Sequence, residues 1–152
     1  MQVIPHGNID QSQMNRKNDY LFRLSIKALI RNPEGHVLVV KEAGRSWWDL
    51  PGGGMDHGET ISEAIARELK EEVDLEGDFS LRILAVEDPA YLAGANLYQI
   101  RLIYEVYPEE LPFQAGNDSD ELMYINPNEL ELSANEIERR VYRYSTMAGG
   151  SE

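Results

Sequence analysis

At 152 residues the chain has room for one compact domain and little for a second core. Hydrophobic residues make up 42% and charged residues 27%, an ordinary globular composition, but the formal charge is −13, from 27 acidic and 14 basic residues. Such a surface repels nucleic-acid polymers and anionic membranes, and would repel a phosphorylated small molecule too unless a metal cation reverses the sign locally.

With no cysteine, disulfide scaffolds and thiol chemistry are excluded. The first 18 residues are polar and lack periodicity, which predicts a mobile N-terminal arm ahead of a single domain over 19–152. The arm has no apolar core of signal-peptide length, and no run approaches the roughly 18 apolar residues of a membrane span, so a cytoplasmic location is the default. Leu21–Ile30 alternates as a strand, Asn32–Gly35 supplies turn chemistry, and His36–Ala43 reads as its hairpin partner. SWWDLPGGGM suggests a brief strand entering a glycine-rich loop. A helix is predicted over Thr60–Val73, opened by a capping box of Thr60 and Glu63. Strands follow around Leu81–Glu87 and Leu97–Tyr107, then an acidic loop over Pro108–Glu121. The LMYI segment reads as a short strand and Pro127–Leu130 as a helical turn. A last helix over Ala134–Met147 has Ser133 and Glu136 as a second capping box, with Ile137, Val141 and Tyr144 on one face. This order implies an α+β arrangement with a mixed sheet.

On the central helix, taking Ile61 as 0° and about 100° per residue, Ile65, Leu69, Val73 and Ala66 fill a buried arc. Glu71, Glu68 and Glu72 fall near 280°, 340° and 20°, about one 100° sector, with Glu72 against the buried stripe. Like charges at these spacings destabilise a helix, and the repulsion grows at a partly buried boundary. A hard divalent cation, Mg²⁺ or Mn²⁺, removes the conflict, because carboxylate oxygens are its preferred ligands. Alone, the triplet also fits an ordinary solvated face. Its surroundings favour the metal: Pro51–Met55 gives a loop whose backbone can approach a ligand, and Arg67, eight residues after Glu59, can orient the adjacent Glu68.

The stretch GGMDHGETISEAIARELKEEVDL, Gly53 to Leu75, resembles the Nudix box, G-x5-E-x7-R-E-U-x-E-E-x-G-U, where U is bulky and aliphatic. Gly53, Glu59, Arg67, Glu68, Leu69, Glu71, Glu72 and Leu75 are in register, and Trp48–Gly53 looks like the usual run into the box. One position departs: Asp74 stands where the family has glycine. A left-handed helix cap tolerates Asp better than most residues, with Gly77 as a substitute for the role. The resemblance implies an α/β/α sandwich with a mixed β-sheet. It further implies metal binding by Glu68, Glu71, Glu72 and the Gly53 carbonyl, with Glu59 and Arg67 as an orienting pair. The implied reaction is attack of water on a phosphoanhydride of a nucleoside diphosphate linked to another group, such as a nucleotide sugar like ADP-ribose or a nucleoside triphosphate. Some members use a downstream loop acid as general base, which makes Glu121 and Asp120 candidates.

Trp48 reads as core, whereas Trp47 is divided between core and base stacking. His57 reads as a solvent-exposed loop residue, and Pro89 and Tyr91 do not decide a substrate. The partner expected is a small-molecule nucleotide rather than a nucleic-acid polymer or a membrane, and a homodimer built by arm exchange stays open. A nucleotide-binding Nudix domain without strong catalysis is the alternative to an enzyme, although no box glutamate is lost. A plain interaction domain would need some other counter-charge for the acidic sector.

Overall fold

The computed structural model describes residues 20–112 and 114–147, together with a backbone pairing of β1 (Val3–Ile4) and β2 (Asn8–Ile9). The rest of the expected N-terminal arm lies outside the described residues. Next in the chain come β3 (Phe22–Leu29), β4 (Val37–Glu42), β5 (Gly52–Gly54), α1 (Ile61–Val73) and β6 (Phe79–Val86). They are followed by β7 (Ala90–Leu92), β8 (Leu97–Pro108), β9 (Ser119–Ile125), a 3-10 turn at Pro127–Leu130 and α2 (Glu136–Met147).

The main sheet runs β5-β3-β8-β6, with β3 and β8 parallel and the other pairs antiparallel; β7 adds to β8. The second strand is not a hairpin partner of the first. β4 pairs instead with β9 in a separate two-stranded sheet, and among the described residues the turn after β3 closes with a single Arg31–Val37 bridge before the strands part. Alternation explains the layers. Ile26, Ala28 and Ile30, with Leu38 and Val40, pack under α1 beside Ile65, Leu69 and Val73. Leu29, Val37 and Val39 point the other way, into a core with Val141 and Tyr144 of α2. A side-chain period of two thus buries both faces of these strands, and the result is the expected α/β/α sandwich with a mixed sheet. Among the described residues no helix is long and apolar enough to cross a membrane.

The helix ends test the local reading. The Thr60–Glu63 capping box forms, with Thr60 Oγ1 accepting from Glu63 N–H and Glu63 Oε1 accepting from Thr60 N–H. At α2 the expected Ser133–Glu136 box does not form. Asn135 Oδ1 accepts from Ile137 and Glu138 N–H, while Ser133 Oγ accepts from Asn135 N–H and donates to Glu138. Asn is at least as good a cap as Ser, and it takes the position nearest the first turn.

Asp74 is itself the left-handed cap of α1, at φ 54° and ψ 36°, with its N–H donating to Leu69 O. Gly77 does not take over that role; its positive φ serves a later turn. Lys70 Nζ and Gln114 Nε2 both donate to the Asp74 carboxylate. Glycine at 74 would relieve the backbone but lose these exposed contacts, so Asp74→Gly is expected to leave both stability and turnover near wild type. Chemical denaturation and initial rates check this; a collapse of turnover with the fold intact would make Asp74 part of the site.

Candidate active site

The helix presents its acids to the interior more deeply than its periodicity suggests. Ala64, Ile65, Glu68, Leu69, Glu72 and Val73 are the buried residues of α1, whereas Ala66, expected in the buried arc, is exposed. The burial is rotated so that Glu68 and Glu72 sit within the buried face, not at its edge. The cause is β5. Its glycines lack side chains, and a Cβ on Gly53 would lie 2.8 Å from Glu68 Oε1. At Gly52, φ is +141° and a Cβ would lie 2.0 Å from Ile26 O, so glycine alone fits there. Gly52 N–H donates to Glu72 Oε1 at 2.9 Å.

Glu68 and Glu72 lie within hydrogen-bonding reach of one another, and burial pushes both carboxyls up. For Glu72 the rise is to about 9. Burial is the main cause, Lys27 and the Gly52 N–H oppose it, and the negative charges of Glu68 and Glu42 add to it. Arg67 works against the rise at Glu68, and Glu71 adds to it.

Arg67 grips Glu59 with two donors, Nε at 2.6 Å and Nη2 at 2.9 Å, and donates from Nη1 to Glu68 at 2.9 Å and to Glu71 at 3.4 Å. It also donates to Gly54 O, and Glu59 accepts from Asp56 N–H, so loop and helix are fastened by one guanidinium. Hydrogen bonding to Glu59 holds the Arg67 pKa above its ordinary value.

Glu59, Arg67, Glu68 and Glu71 line one cavity of about 690 Å³ with His57, Phe22, Arg23 and Asp118. Glu72 lies behind it, toward Gly52. Asp118 N–H donates to Glu71 O and Gly116 N–H to Glu72 O, docking the 114–118 segment on the end of α1. The expected downstream acids lie elsewhere. Glu121 pairs with Lys41 at 3.7 Å with its side chain 60% exposed, and Asp120 accepts from Gly44 N–H. β9 begins at Ser119 rather than at Leu122, so strand alternation turns Glu121 away from the cavity, and Asp118 is the downstream acid that lines it.

Sequence reasoning also passed over Lys27. It is buried, and Nζ donates to Asp49 at 3.1 Å and to the Leu50 and Gly52 carbonyls at 3.3 Å each. Burial alone would lower its pKa, but Asp49 and Glu72 outweigh burial and hold it above the ordinary value. Alternation along β3 puts Lys27 in one row with Arg23 and Ser25, which reads as a polar face, so its burial had no local signal. Trp48 packs against the α2 core as expected, under the Lys41 ammonium. Trp47 stacks beneath Arg45, away from the cavity lining.

A divalent cation fits the donor set. Two buried carboxylates share one space, and burial disfavours their ionised forms more than Arg67 and Lys27 restore them. Among the described residues no three acidic or histidine side chains already converge as a cage. Glu71 is held by Arg67, and Glu72 by Gly52.

A family model described as the NUDIX domain matches residues 21–144. This chain belongs to the NUDIX domain family. The resemblance read from the box therefore extends over the main sheet, the β4–β9 pair, α1 and most of α2. Among curated relatives, RNA pyrophosphohydrolases from Psychrobacter cryohalolentis and Psychrobacter arcticus are each 44% identical over 54 residues, 36% of this chain. That match spans 31% of the relatives' length. Among solved structures, a MutT protein from Methanosarcina mazei superposes with TM-score 0.68 at 20% identity, covering 86% of this chain and 96% of that one. An ADP-ribose pyrophosphatase from Streptococcus suis gives TM-score 0.58 at 18% identity, covering 82% and 87%. These two likenesses establish the shared Nudix fold.

Proposed function

We propose that the protein is a Nudix pyrophosphohydrolase, dependent on Mg²⁺ or Mn²⁺, that cleaves a phosphoanhydride bond in a small nucleotide of the nucleoside diphosphate-linked class. The observation that carries this reading is the pair of buried carboxylates, Glu68 and Glu72, pressed against a side-chain-free loop beside an open cavity. Such a pair is unstable without a cation and poorly explained as structure alone.

Glu68 and Glu72 would hold the cation, with Glu71 and the Gly53 carbonyl as further oxygens. When bound, it supplies charge neutralisation at the phosphates and a lowered pKa for the attacking water. Arg67, fixed by Glu59, keeps Glu68 aimed and holds the box loop through Gly54 O. Asp118 is placed to accept a proton from water entering the cavity. The acidic surface and the mixed polar cavity suit a small nucleotide better than a polymer, although the relatives named RNA pyrophosphohydrolases make an RNA end the natural competitor in the assay.

The test is turnover with Mg²⁺ on ADP-ribose, dinucleoside polyphosphates, nucleoside triphosphates and an oligoribonucleotide bearing a 5′-triphosphate. Mass spectrometry is expected to find a phosphorylated fragment on each side of a cleaved P–O–P bridge. Release of phosphate from monoesters alone would overturn the assignment, and preference for the oligoribonucleotide would overturn the small-molecule part.

A further inference from the structure

The described surface gathers three large aromatic side chains at one place. Phe22 on β3, Tyr98 on β8 and Tyr91 on β7 are 50%, 49% and 53% exposed. They are direct cross-strand partners, Phe22 opposite Tyr98 and Tyr98 opposite Tyr91. Ring centroids are 6.2 Å apart for Phe22–Tyr98 and 5.4 Å for Tyr91–Tyr98, with interplanar angles of 45° and 58°. Beside these tilted contacts each ring keeps about half of its surface exposed, so flat aromatic surface stays open to a ligand. The group is also held in place. The rings stand on paired strands, and the Tyr91 hydroxyl donates to Asn96 Oδ1 at 2.7 Å across a turn in which Asn96 is left-handed.

The patch is continuous with the cavity of the catalytic helix. Phe22 lines that cavity with Arg23 and Leu97, and Glu68, Glu71 and Arg67 line it too. Its volume of about 690 Å³ is of the size that encloses a small ligand rather than a protein segment. Arg23 makes no ion pair with another described residue, unlike Arg67, whose donors are all engaged by protein oxygens. The chain's charge of −13 works against a phosphorylated ligand, so a neutral planar group is a natural source of affinity that does not depend on charge.

We propose that Phe22, Tyr98 and Tyr91 form a stacking platform for the base of the nucleotide, with Arg23 facing the phosphate end of the same ligand in the shared cavity. The proposal rests on the reading of the chain as a nucleotide pyrophosphohydrolase, and it adds that the base is a recognised part of the substrate. Every base offers a flat π face, so the platform favours nucleotides as a class without selecting one base strongly.

The experiment measures binding of AMP, GMP, CMP and UMP by calorimetry in Mg²⁺, beside ribose 5-phosphate, which keeps the sugar and phosphate and lacks the base. The full chain is used as wild type, Tyr98→Ser and Tyr98→Phe, with Phe22→Ser as an independent second site. Wild type is expected to bind at least one nucleotide tighter than ribose 5-phosphate by about fivefold or more. Tyr98→Ser and Phe22→Ser should each lose most of that difference and leave ribose 5-phosphate unchanged, while Tyr98→Phe retains it. KM for the best substrate should rise in the serine variants with kcat held. Melting curves and light scattering on every variant separate this outcome from misfolding. Equal binding of all nucleotides and ribose 5-phosphate by wild type would overturn the platform even if turnover is found. Unchanged nucleotide affinity in folded serine variants, with a change of oligomeric state, would instead make this face an interface between copies. A wild type that binds nucleotides at the platform yet cleaves none would remove the hydrolase reading and leave the platform standing.

Discussion

Glu72→Gln and Glu68→Gln are each expected to lower kcat by at least about 100-fold at saturating Mg²⁺, the scale of losing one essential electrostatic group. Glu63→Gln, on the same helix, should change kcat less than threefold. The structure separates the three cleanly. Glu72 and Glu68 are 4% and 9% exposed and share one buried space, whereas Glu63 is an exposed capping residue. Glutamine keeps the size of the side chain, and an amide oxygen can still accept from Gly52 N–H, so the fold should survive. What is lost is the negative charge that holds a cation. Equal activity for Glu72→Gln and Glu63→Gln would show that the buried pair has no part in the reaction.

The same pair makes a stability prediction with a definite sign. Glu72 in the folded protein is raised to about 9, far above the ordinary value near 4.3 that it regains on unfolding. Between those values the folded state keeps a proton that the unfolded chain has released. The contribution is therefore fully present below the unfolded pKa and is lost as pH rises through the folded one. In chelator, the melting temperature should fall from about pH 5 toward pH 9, and Glu72→Gln should flatten much of that slope and melt higher than wild type at the alkaline end. A wild-type profile that rises over this range would contradict the placement of the charges.

Removal of metal is the second large effect. Excess chelator is expected to abolish turnover, and Mg²⁺ or Mn²⁺ to restore it, because Lys27 and Arg67 are already committed to Asp49 and Glu59 and cannot neutralise both buried acids. Binding only to the folded state also stabilises it, by about 2.7 kcal/mol at a concentration one hundred times Kd. The wild-type melting temperature should therefore climb with added Mg²⁺ at neutral pH, and that of a Glu68→Gln, Glu72→Gln double variant should barely move. Undiminished activity in chelator would sink the metal assignment, and an equal Mg²⁺ shift in the double variant would place the cation elsewhere.

Much of this was legible in the residues. The capping box at Thr60, the helical period from Ile61 to Val73 and the spacing of Glu59, Arg67, Glu68, Glu71 and Glu72 are local features. A helix of known pitch converts such spacing into directions without knowledge of the rest of the fold. The left-handed Asp74 was legible for the same reason, since few residues other than glycine accept that conformation.

Tertiary structure decided what depends on partners distant in sequence. Which strand β4 joins is set by the cores on its two faces, not by the turn before it, so the expected hairpin gave way to pairing with β9. The exposure of Ala66 and the depth of Glu68 were fixed by Gly53, whose missing side chain lets the helix sink onto β5. Lys27 lies 22 residues from Asp49 and 25 from Gly52, and nothing in its neighbours on β3 signals that contact. That Asp118 rather than Glu121 lines the cavity follows from where β9 starts, because moving a strand's first residue changes which acids still belong to the loop. Periodicity and capping act within a few residues, so the sequence by itself determined the helix and its acids; side-chain burial is a property of the assembled layers, and only the tertiary structure could assign it.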